Sequence, residues 1–439
     1  MSISVATTSI QGVRRLEGGW LSVLALSTIF ISGIYVPTPL GNLYFSYICM
    51  IATYALLVLK TRSLGLRREY LGFAAALACL SLMGALFNDA AAGSRASVFL
   101  VSLAKIMLFM FFVVFFTSIY NLLGRSVNKV FSVYLKVAYF FAALGVLQEL
   151  VFVMLDVDML AFLSPGSKRL GSHLGIAGLS VEPAFYACAL LPAGAYHVSR
   201  FVQRFRISFK GAITVLAIVL STSALGYIGL FVSAAATFIV GFHIRRFWIL
   251  FLSVPLVLVL AIKVSSLDFF QLRWNDTVSV LQGGELTMED GMNLSTYSNA
   301  VNSLISLRSF ADNYGIGVGM GMYSAVFDEY ISGYELPAYR DDIPGRGSAT
   351  SLFARVTAEL GLAGWLLLLT VLYWAWKNMR AADDKAMAIA YIATLSIILL
   401  RMGEYYANGV VLVLVMIYLS RAADRRVPRL QGKGTELSR

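Results

Sequence analysis

One short stretch of the chain places two cations, an imidazole and a carboxylate close together. Lys168 and Arg169 are followed by His173, and Glu182 stands directly before Pro183. A planar guanidinium binds phosphate oxygens through two parallel hydrogen bonds, so these cations fit an anionic headgroup or a pyrophosphate. Proline favours the first turn of a helix, so Glu182 is expected at a positively polarised helix end. Taken alone, Glu182 is equally well explained as a partner of that helix dipole.

A second stretch combines arginines with alternating glycines. Arg308 precedes a run in which every second residue is glycine, including Gly317 and Gly319, and Arg340 and Arg346 follow that run. The run resembles a dinucleotide-binding loop, but no strand precedes it and no βαβ unit with a ribose-binding acid follows. That interpretation is rejected. The glycines instead let the backbone approach a neighbouring helix or a ligand, and an ordinary packed turn is the alternative.

Two pairs of charged residues within apolar segments are candidates for ion pairing. Arg355 and Glu359 are one helical turn apart, so they share a face and can pair inside a membrane. Lys105 and Glu149 lie at similar depth in two other segments. An uncompensated charge there costs about 2.5–3.5 kcal/mol, which favours a pair across a cavity. Such a pair would serve as a proton relay, as the wall of a substrate pocket or as a purely structural ion pair.

The elements that must position these residues are apolar helices. Of the 439 residues, 59% are hydrophobic and 13% are charged, against roughly 45–50% and about 25% in soluble domains. The mean hydropathy is +0.76. The apolar residues recur in runs of about 17–25, the length that crosses a bilayer as a helix, without the short alternating strands of a barrel. The sequence therefore predicts an all-α fold and a polytopic membrane protein.

Twelve apolar segments are predicted as transmembrane helices. They lie at roughly 20–36, 41–59, 70–87, 97–118, 131–155, 183–199, a pair across 211–243, 247–265, 352–376, 387–400 and 409–420. Of the 35 lysines and arginines, 23 fall on the loops and tails of one side, 8 on the other side and 4 within the helices. The positive-inside rule then places both termini in the cytoplasm. The net charge of +11 is explained by topology, without a nucleic-acid partner.

The predicted organisation follows from this topology. A cytoplasmic tail at 1–19 precedes nine helices over 20–265, which include an outer loop at 156–182; a large outer loop at 266–350, three helices over 351–420 and a cytoplasmic tail at 421–439 complete the chain. The first apolar segment has no small-residue cleavage site and is predicted to be an uncleaved anchor. The three cysteines are isolated within apolar segments, which favours neither disulfides nor zinc.

Three stretches resemble the bacterial O-antigen and exopolysaccharide polymerases of the Wzy type and the related O-antigen ligases. Residues 169–171 leading to 180–185 resemble that family's arginine and glycine followed by a Glu-Pro helix start. Residues 313–320 resemble its glycine-rich segment, and Arg308 has the family's ten-residue spacing from Gly319. Residues 358–364 resemble its Glu-x-Gly-x-x-Gly helix. The layout of about twelve helices with one large outer loop between late helices extends the resemblance over most of the chain.

The chain departs from the family pattern at two places. Ligases carry a His-Asn pair about nine residues before the helix glutamate, whereas residues 347–351 contain no histidine. This favours a polymerase over a ligase. Many members also have an arginine before an aromatic residue upstream of the glycines, where this chain has Ser295-Thr296-Tyr297. Either Arg273 or Arg308 is left to take that role.

The resemblance implies glycosyl transfer at the periplasmic face of the bacterial inner membrane. A growing glycan would move from undecaprenyl pyrophosphate to a sugar hydroxyl of another lipid-linked repeat unit. The enzyme must then stabilise the departing pyrophosphate and help to deprotonate the hydroxyl. Arg169, Arg308 and Arg346 are expected to bind pyrophosphate, and Glu182 to act as the base. His173 is the rival base because it titrates near neutral pH.

Nine residues are nominated as substrate ligands. They are Lys168, His173, Arg340, Arg346, Gly317, Gly319, Arg355, Glu359 and Lys105. No cofactor or metal is expected, because a lipid-pyrophosphate donor does not require the Asp156 and Asp158 pair as metal ligands. The implied partners are the lipid-linked oligosaccharide, membrane lipids and, within one pathway, a chain-length regulator and a flippase.

A transporter of polysaccharide or lipid-linked sugar is the competing class. It would also have about twelve helices and buried charges. Transporters usually show internal repeats and discontinuous helices, and the sequence predicts neither. The long outer loop also has no obvious role in transport. A structural scaffold would leave the outward arginines unexplained.

Overall fold

The computed structural model describes residues 19–38, 41–87, 95–206, 208–240, 278, 294–334, 343–381, 384–406 and 409–424. Within these residues the chain is mostly helical. The helices are α1 (Gly19–Ser27), α2 (Phe45–Thr61), α3 (Arg68–Phe87), α4 (Arg95–Leu122), α5 (Val127–Leu155), α6 (Pro183–Arg204), α7 (Phe209–Leu220), α8 (Ala224–Val240), α9 (Leu294–Asp312), α10 (Tyr323–Tyr330), α11 (Leu352–Ala381), α12 (Lys385–Arg401) and α13 (Val410–Asp424). Two antiparallel hairpins interrupt them, β1 (Tyr35–Thr38) with β2 (Gly41–Tyr44) and β3 (Lys168–Leu170) with β4 (His173–Gly175).

Four of the described helices are long and apolar enough to cross a membrane by length and composition. They are α3, α4, α5 and the Leu352–Arg380 part of α11. Shorter apolar helices, including α2, α7 and α8, accompany them. The helical fold class is thus confirmed, and the long apolar helices are consistent with a membrane protein. Twelve crossings and the large periplasmic loop stay predictions.

Helices occupy the predicted apolar segments that the structure describes, and the segment at 247–265 lies outside the described residues. The first prediction, 20–36, is too long. Helix α1 ends at Ser27, a 3₁₀ turn follows to Phe30, and the chain then enters the β1–β2 hairpin. Pro37 has no amide hydrogen and restricts its predecessor to extended backbone, which favours a strand over continued helix. Apolar composition alone did not distinguish the two.

The region predicted as a large outer loop contains two helices that the sequence reading missed. Helix α9 packs along α11, and α10 packs on both. A separate buried cluster joins them, with Tyr297 and Ile305 on α9, Tyr323 and Phe327 on α10, and Ala358 on α11. This part of the chain is therefore a packed cap on the first turns of α11, held by its own apolar core.

Helix α11 is broken at Gly361, whose φ of 58° and ψ of −140° are not helical. The Leu362 amide bonds to the Gly315 carbonyl at 2.9 Å instead of continuing the helical ladder. The carbonyls of Ala358 and Glu359, which the break leaves open, accept the amides of Val318 and Gly319 at 3.0 and 2.9 Å. The glycine-rich segment thus replaces the hydrogen bonds that the break removes. The expectation of no discontinuous helix is wrong.

Candidate functional site

The β3–β4 hairpin gathers three of the nominated residues between α5 and α6. Arg169 pairs with Leu174 in register, and Leu170 pairs with His173. All three residues of β3 are exposed, so the Lys168 and Arg169 side chains reach solvent. The turn is tight because Gly171 adopts a φ of +63° that other residues rarely adopt. The local fold therefore exposes two cations and an imidazole on one small hairpin, with Lys168 and His173 on one face and Arg169 on the other.

Glu182 lies beside this surface at the start of α6. Pro183 is the first residue of α6, as predicted, and Glu182 is its N-cap residue. The Glu182 side chain makes no capping hydrogen bond. Its carboxylate lies 3.9 Å from the Lys168 ammonium, and 40% of the side chain is exposed. The carboxylate is therefore near a helix N-terminus and a cation, yet it is not committed to closing the helix end.

Arg169 is held by an exposed carboxylate and an aromatic ring. Its Nη2 atom donates to both oxygens of Asp156, at 2.7 and 2.8 Å, and its guanidinium lies 5.4 Å from the Phe152 ring centroid. The side chains of Arg169 and Asp156 are 62% and 66% exposed. Exposed ion pairs contribute about 0–1 kcal/mol, so an incoming phosphate can displace Asp156 at small cost.

His173 is positioned by Glu149, the residue whose depth in the apolar segments predicts a pair with Lys105. The Glu149 Oε1 atom lies 3.1 Å from His173 Nδ1, and Oε2 accepts the Leu174 amide at 3.0 Å. Glu149 is 5% exposed, so both contacts shield its charge. Between described residues, Lys105 and Glu149 form no direct ion pair, and a pairing of the two across a cavity stays a prediction. The loop after α5 folds back over Glu149 and supplies nearer donors.

Gln148 stabilises the loop between α5 and α6 through side-chain hydrogen bonds. Its buried amide donates to Asp158 at 2.7 Å and to Ser167 at 2.9 Å, and its oxygen accepts the Gly178 amide at 3.1 Å. Asp158 also accepts the Leu160 amide at 3.0 Å. The Asp158 carboxylate is therefore engaged in loop structure. Among the described residues, no group of three His, Cys, Asp or Glu side chains could hold a metal ion.

The arginines of the later stretch form a separate group around α10. Arg308 lies 3.8 Å from Asp312 and 5.3 Å from the centroid of the Tyr330 ring. Arg346 donates two hydrogen bonds to Asp328, at 2.6 and 2.5 Å. Arg308 and Arg169 contact different carboxylates, Asp312 and Asp156, and a pyrophosphate site shared by the two arginines stays a prediction. Arg340 lies outside the described residues.

The electrostatics around α10 depend on Arg308. Burial raises the pKa of Glu329, the negative charge of Asp312 raises it further, and Arg308 opposes both. Burial also raises the pKa of the Tyr330 hydroxyl, which donates a hydrogen bond to Asp312 at 2.9 Å. Arg308 therefore opposes the charge of Asp312 on Glu329 and lies over the Tyr330 ring.

The nominated glycines face a helix. A Cβ atom added to Gly317 would lie 2.7 Å from the Glu359 carbonyl oxygen and from the Gly361 nitrogen. A Cβ atom on Gly84 of α3 would meet the Gly317 and Gly319 backbone within 2.8 Å. The backbone thus runs in close contact between α3 and α11, as the helix-contact interpretation predicts. Substrate contact at Gly317 and Gly319 stays a prediction.

Arg355 and Glu359 form the expected ion pair, with Nε and Oε1 3.0 Å apart. The two side chains are 4% and 0% exposed. Glu359 also accepts the Gly321 amide at 2.7 Å, the Tyr323 amide at 3.1 Å and the Tyr405 hydroxyl at 2.8 Å. Four donors occupy the lone pairs of this carboxylate. Glu359 is therefore the anchor that ties the glycine segment and α10 to α11.

Three residues around this anchor were missed by sequence reasoning. Glu404 lies 3.4 Å from the Nη1 atom of Arg355, which also donates to the Gly403 carbonyl at 2.9 Å. The Tyr405 ring lies 4.6 Å from the Arg355 guanidinium, and the Tyr406 hydroxyl donates to the Lys105 carbonyl at 3.1 Å. The available signal was an acidic residue followed by two tyrosines in a short connection between apolar segments.

Comparisons with known proteins add no family assignment. No protein-family model matches the chain, and no curated protein matches it significantly. The resemblance to glycan polymerases therefore rests on the three sequence stretches and their arrangement.

Proposed function

We propose that the protein is a polysaccharide polymerase of the bacterial inner membrane. It would transfer a growing glycan from undecaprenyl pyrophosphate to another lipid-linked oligosaccharide repeat unit at the periplasmic face. The observation that carries this proposal is the β3–β4 surface, where Lys168, Arg169 and His173 are exposed on one hairpin and the Lys168 ammonium lies 3.9 Å from Glu182 at the start of α6. It combines exposed phosphate ligands with a carboxylate that is free of capping bonds, which are the groups such a transfer needs.

The proposed step is a displacement at the anomeric carbon of the donor sugar. The acceptor hydroxyl gives its proton to Glu182, and its oxygen forms the new bond to that carbon. The bond between this carbon and the pyrophosphate oxygen breaks, and the electron pair leaves with the lipid pyrophosphate. Arg169 and Lys168 stabilise the charge that develops on the leaving oxygen. No cofactor or metal ion is needed to balance this reaction.

The first experiment supplies purified protein with the lipid-linked repeat unit alone and separates the products on a gel. A ladder of repeat lengths is the expected result. Transfer only to lipid A core would indicate an O-antigen ligase, and an absence of any covalent product would refute the polymerase assignment. Arg308→Ala, measured in the same assay, tests whether the α10 group contributes to pyrophosphate binding.

Glu182→Gln tests the proposed base. Glutamine keeps the size and hydrogen-bonding reach of the side chain but cannot accept the proton, so ladder formation should stop. A helix-dipole partner contributes only about 0.3–1 kcal/mol, and its glutamine variant would stay active. Glu69→Gln is the matched control, because Glu69 contacts Tyr418 in another part of the bundle. Normal ladders from Glu182→Gln would exclude Glu182 and leave His173 as the candidate base.

Topology provides an independent test. Reporter fusions at Leu170 and Met320 should be active outside the cytoplasm, and those at Phe205 and Leu430 inside it. A cytoplasmic position for Met320 would contradict the proposed mechanism, because the glycan acceptor would then face the wrong compartment.

A transporter of lipid-linked sugars is the second candidate, and the break at Gly361 favours it. Discontinuous helices with nearby charges are typical of transporter binding sites. Here the break lies close to the buried Arg355–Glu359 pair. Uptake of lipid-linked repeat unit into inverted vesicles, without a covalent product, would support transport over polymerisation.

A further inference from the structure

Four half-buried polar side chains with spare bonding capacity meet beside the Arg355–Glu359 anchor. Glu404 and Tyr406 lie in the connection between α12 and α13, Lys105 is on α4 and Tyr47 is on α2. None of them belongs to the β3–β4 surface. Glu404 and Tyr406 are close in sequence, but Lys105 and Tyr47 come from two other helices. Only the packing of the bundle therefore brings the four side chains together.

The Glu404 carboxylate has few hydrogen-bond donors around it among the described residues. Its contact among the described residues is the 3.4 Å approach of Arg355 Nη1, whereas the neighbouring Glu359 receives four donors. The Glu404 side chain is 37% exposed. Arg355 therefore orients this carboxylate from beneath and leaves most of its lone pairs available for another donor.

Lys105 is a cation whose stem is buried against glycine. A Cβ atom on Gly321 would lie 2.5 Å from the Lys105 Cγ atom, so only glycine lets the lysine stem pass there. The Lys105 carbonyl accepts the Tyr406 hydroxyl. In the described part of the chain, the ammonium itself makes no hydrogen bond or ion pair. A half-buried ammonium on an apolar helix gains free energy from an oxygen-rich ligand.

Two tyrosines supply the walls. Both rings contact the ring of Phe112: the centroid distance is 5.6 Å for Tyr47 and 5.8 Å for Tyr406. Both tyrosines lie within electrostatic reach of the Glu404 carboxylate. A tyrosine offers an apolar face and a hydroxyl that donates and accepts. Such walls suit a ligand with an apolar face and many hydroxyls.

The charges decide between a sugar and a phosphate. Arg355 is paired with Glu359, and Lys105 and Glu404 carry opposite charges, so the four charged groups sum to zero. A phosphate would be repelled by the available Glu404 carboxylate, whereas sugar hydroxyls donate to that carboxylate and accept from the ammonium. Sites for small ligands commonly combine apolar walls with a few such polar groups.

We infer that Glu404, Lys105, Tyr47 and Tyr406 form a binding site for a hexose ring. The site is separate from the pyrophosphate-binding surface at β3–β4. Its further role as the acceptor-sugar site rests on the proposed polymerase function. In that role Glu404 orients the acceptor hydroxyls, and it is a positioning residue for the transfer.

Direct sugar binding tests the site without requiring any reaction. Saturation-transfer NMR is recorded with the full chain in nanodiscs of phosphatidylethanolamine and phosphatidylglycerol. The probes are D-glucose, D-galactose and N-acetyl-D-glucosamine, each alone and then with inorganic pyrophosphate. At least one sugar should bind, and pyrophosphate should not displace it. Loss of the charged acceptor in Glu404→Gln should weaken binding about tenfold.

Matched variants separate the site from general damage. Tyr47→Phe removes a hydroxyl but keeps the ring, and Lys105→Met keeps the stem but removes the charge; both should weaken sugar binding. Glu69→Gln and Lys129→Met are the controls for charge removal elsewhere and should bind as the wild type does. Thermal unfolding of each variant checks that the fold is retained. Tyr47→Phe keeps the test open if Glu404→Gln fails to fold.

The outcomes distinguish this site from the proposed function. Sugar binding that the variants abolish, in a protein that forms no ladder, supports the site and refutes the polymerase. Ladder formation with unchanged sugar binding in the variants refutes the site and leaves the polymerase intact. No binding by any of the three sugars, or displacement by pyrophosphate, overturns the proposed site. If both hold, Glu404→Gln raises the KM for the acceptor more than it lowers kcat.

Discussion

Two arginine–carboxylate pairs in this molecule have similar geometry and opposite surroundings. Arg169 and Asp156 approach to 2.7 Å on the β3–β4 surface, and their side chains are 62% and 66% exposed. Arg355 and Glu359 approach to 3.0 Å within the bundle, and their side chains are 4% and 0% exposed. Water competes for the first pair and is excluded from the second.

This difference assigns different work to the same residue types. An exposed pair contributes about 0–1 kcal/mol, so either partner can exchange its contact for a ligand. Removing one partner from a buried pair costs about 3–5 kcal/mol, because the remaining charge is stranded. Burial, and not the presence of an ion pair, therefore separates an arginine that can exchange its partner from one that is fixed within the bundle.

The largest expected effect is on stability, from Glu359→Ala. This change removes the acceptor for Arg355, for two backbone amides and for Tyr405. We expect a loss of about 3–5 kcal/mol in the free energy of unfolding, seen as a lower thermal midpoint and poor membrane yield. Asp328→Ala is the control, because its partnership with Arg346 is exposed. An unchanged midpoint for Glu359→Ala would remove the distinction between the two pairs.

The second effect is on activity, from Arg169→Ala. Loss of a donor to the transition state lowers rates by about 10²–10³, and we expect that fall in ladder formation without a change in the thermal midpoint. Arg169→Lys keeps the charge and loses the forked geometry, so it should restore activity only partly. Arg204→Ala, near the opposite end of α6, is the control. Full activity of Arg169→Ala would show that this exposed arginine is only surface charge.

A graded glycine series tests how tightly the buried region is packed. Gly317→Ala introduces a contact of 2.7 Å with α11 backbone and strains a φ of +80°. We expect a loss of about 2–4 kcal/mol, since overpacking and backbone strain each cost about 1–3 kcal/mol. Gly171→Ala meets open space at a φ of +63°, so it should lose only about 1 kcal/mol. Gly347→Ala meets neither obstacle and should be neutral. Equal thermal midpoints for the three variants would contradict close packing at Gly317.

The smallest expected effect comes from Asp156→Asn. It weakens the exposed partner of Arg169 and should change the free energy of unfolding by less than about 1 kcal/mol. Because the guanidinium is released for phosphate, the apparent affinity for the lipid-pyrophosphate donor should rise or stay constant. Donor titration in the ladder assay measures it. A large loss of stability would show that the loop depends on this pair.

The sequence predicted the local parts of this fold well. Long apolar runs marked the helices, because each apolar helix satisfies its own backbone and its hydropathy is visible in the chain. Pro183 marked the start of α6, and the four-residue spacing of Arg355 and Glu359 predicted their pair. Such features depend on residues a few positions apart, and the helix itself fixes their relative geometry.

Contacts between distant segments could not be predicted from the sequence. The similar depth of Glu149 and Lys105 in the apolar segments predicts that they pair. In the structure, the loop after α5 places His173 and the Leu174 amide against the Glu149 carboxylate instead. Helices α9 and α10 were missed because both are much less apolar than the runs that predict membrane-crossing helices. Glu404 gained its importance only from Arg355, which lies 49 positions earlier.

The sequence by itself determined that the chain is helical, apolar and rich in charge at a few sites. Tertiary structure decided which of those charges are exposed, which are saturated and where α11 breaks. Gly361 leaves the helical conformation only because the segment around Gly317 supplies replacement donors to α11. Burial and long-range hydrogen bonding are properties of packed neighbours, so the same arginine and carboxylate could not be assigned their different roles before those neighbours were known.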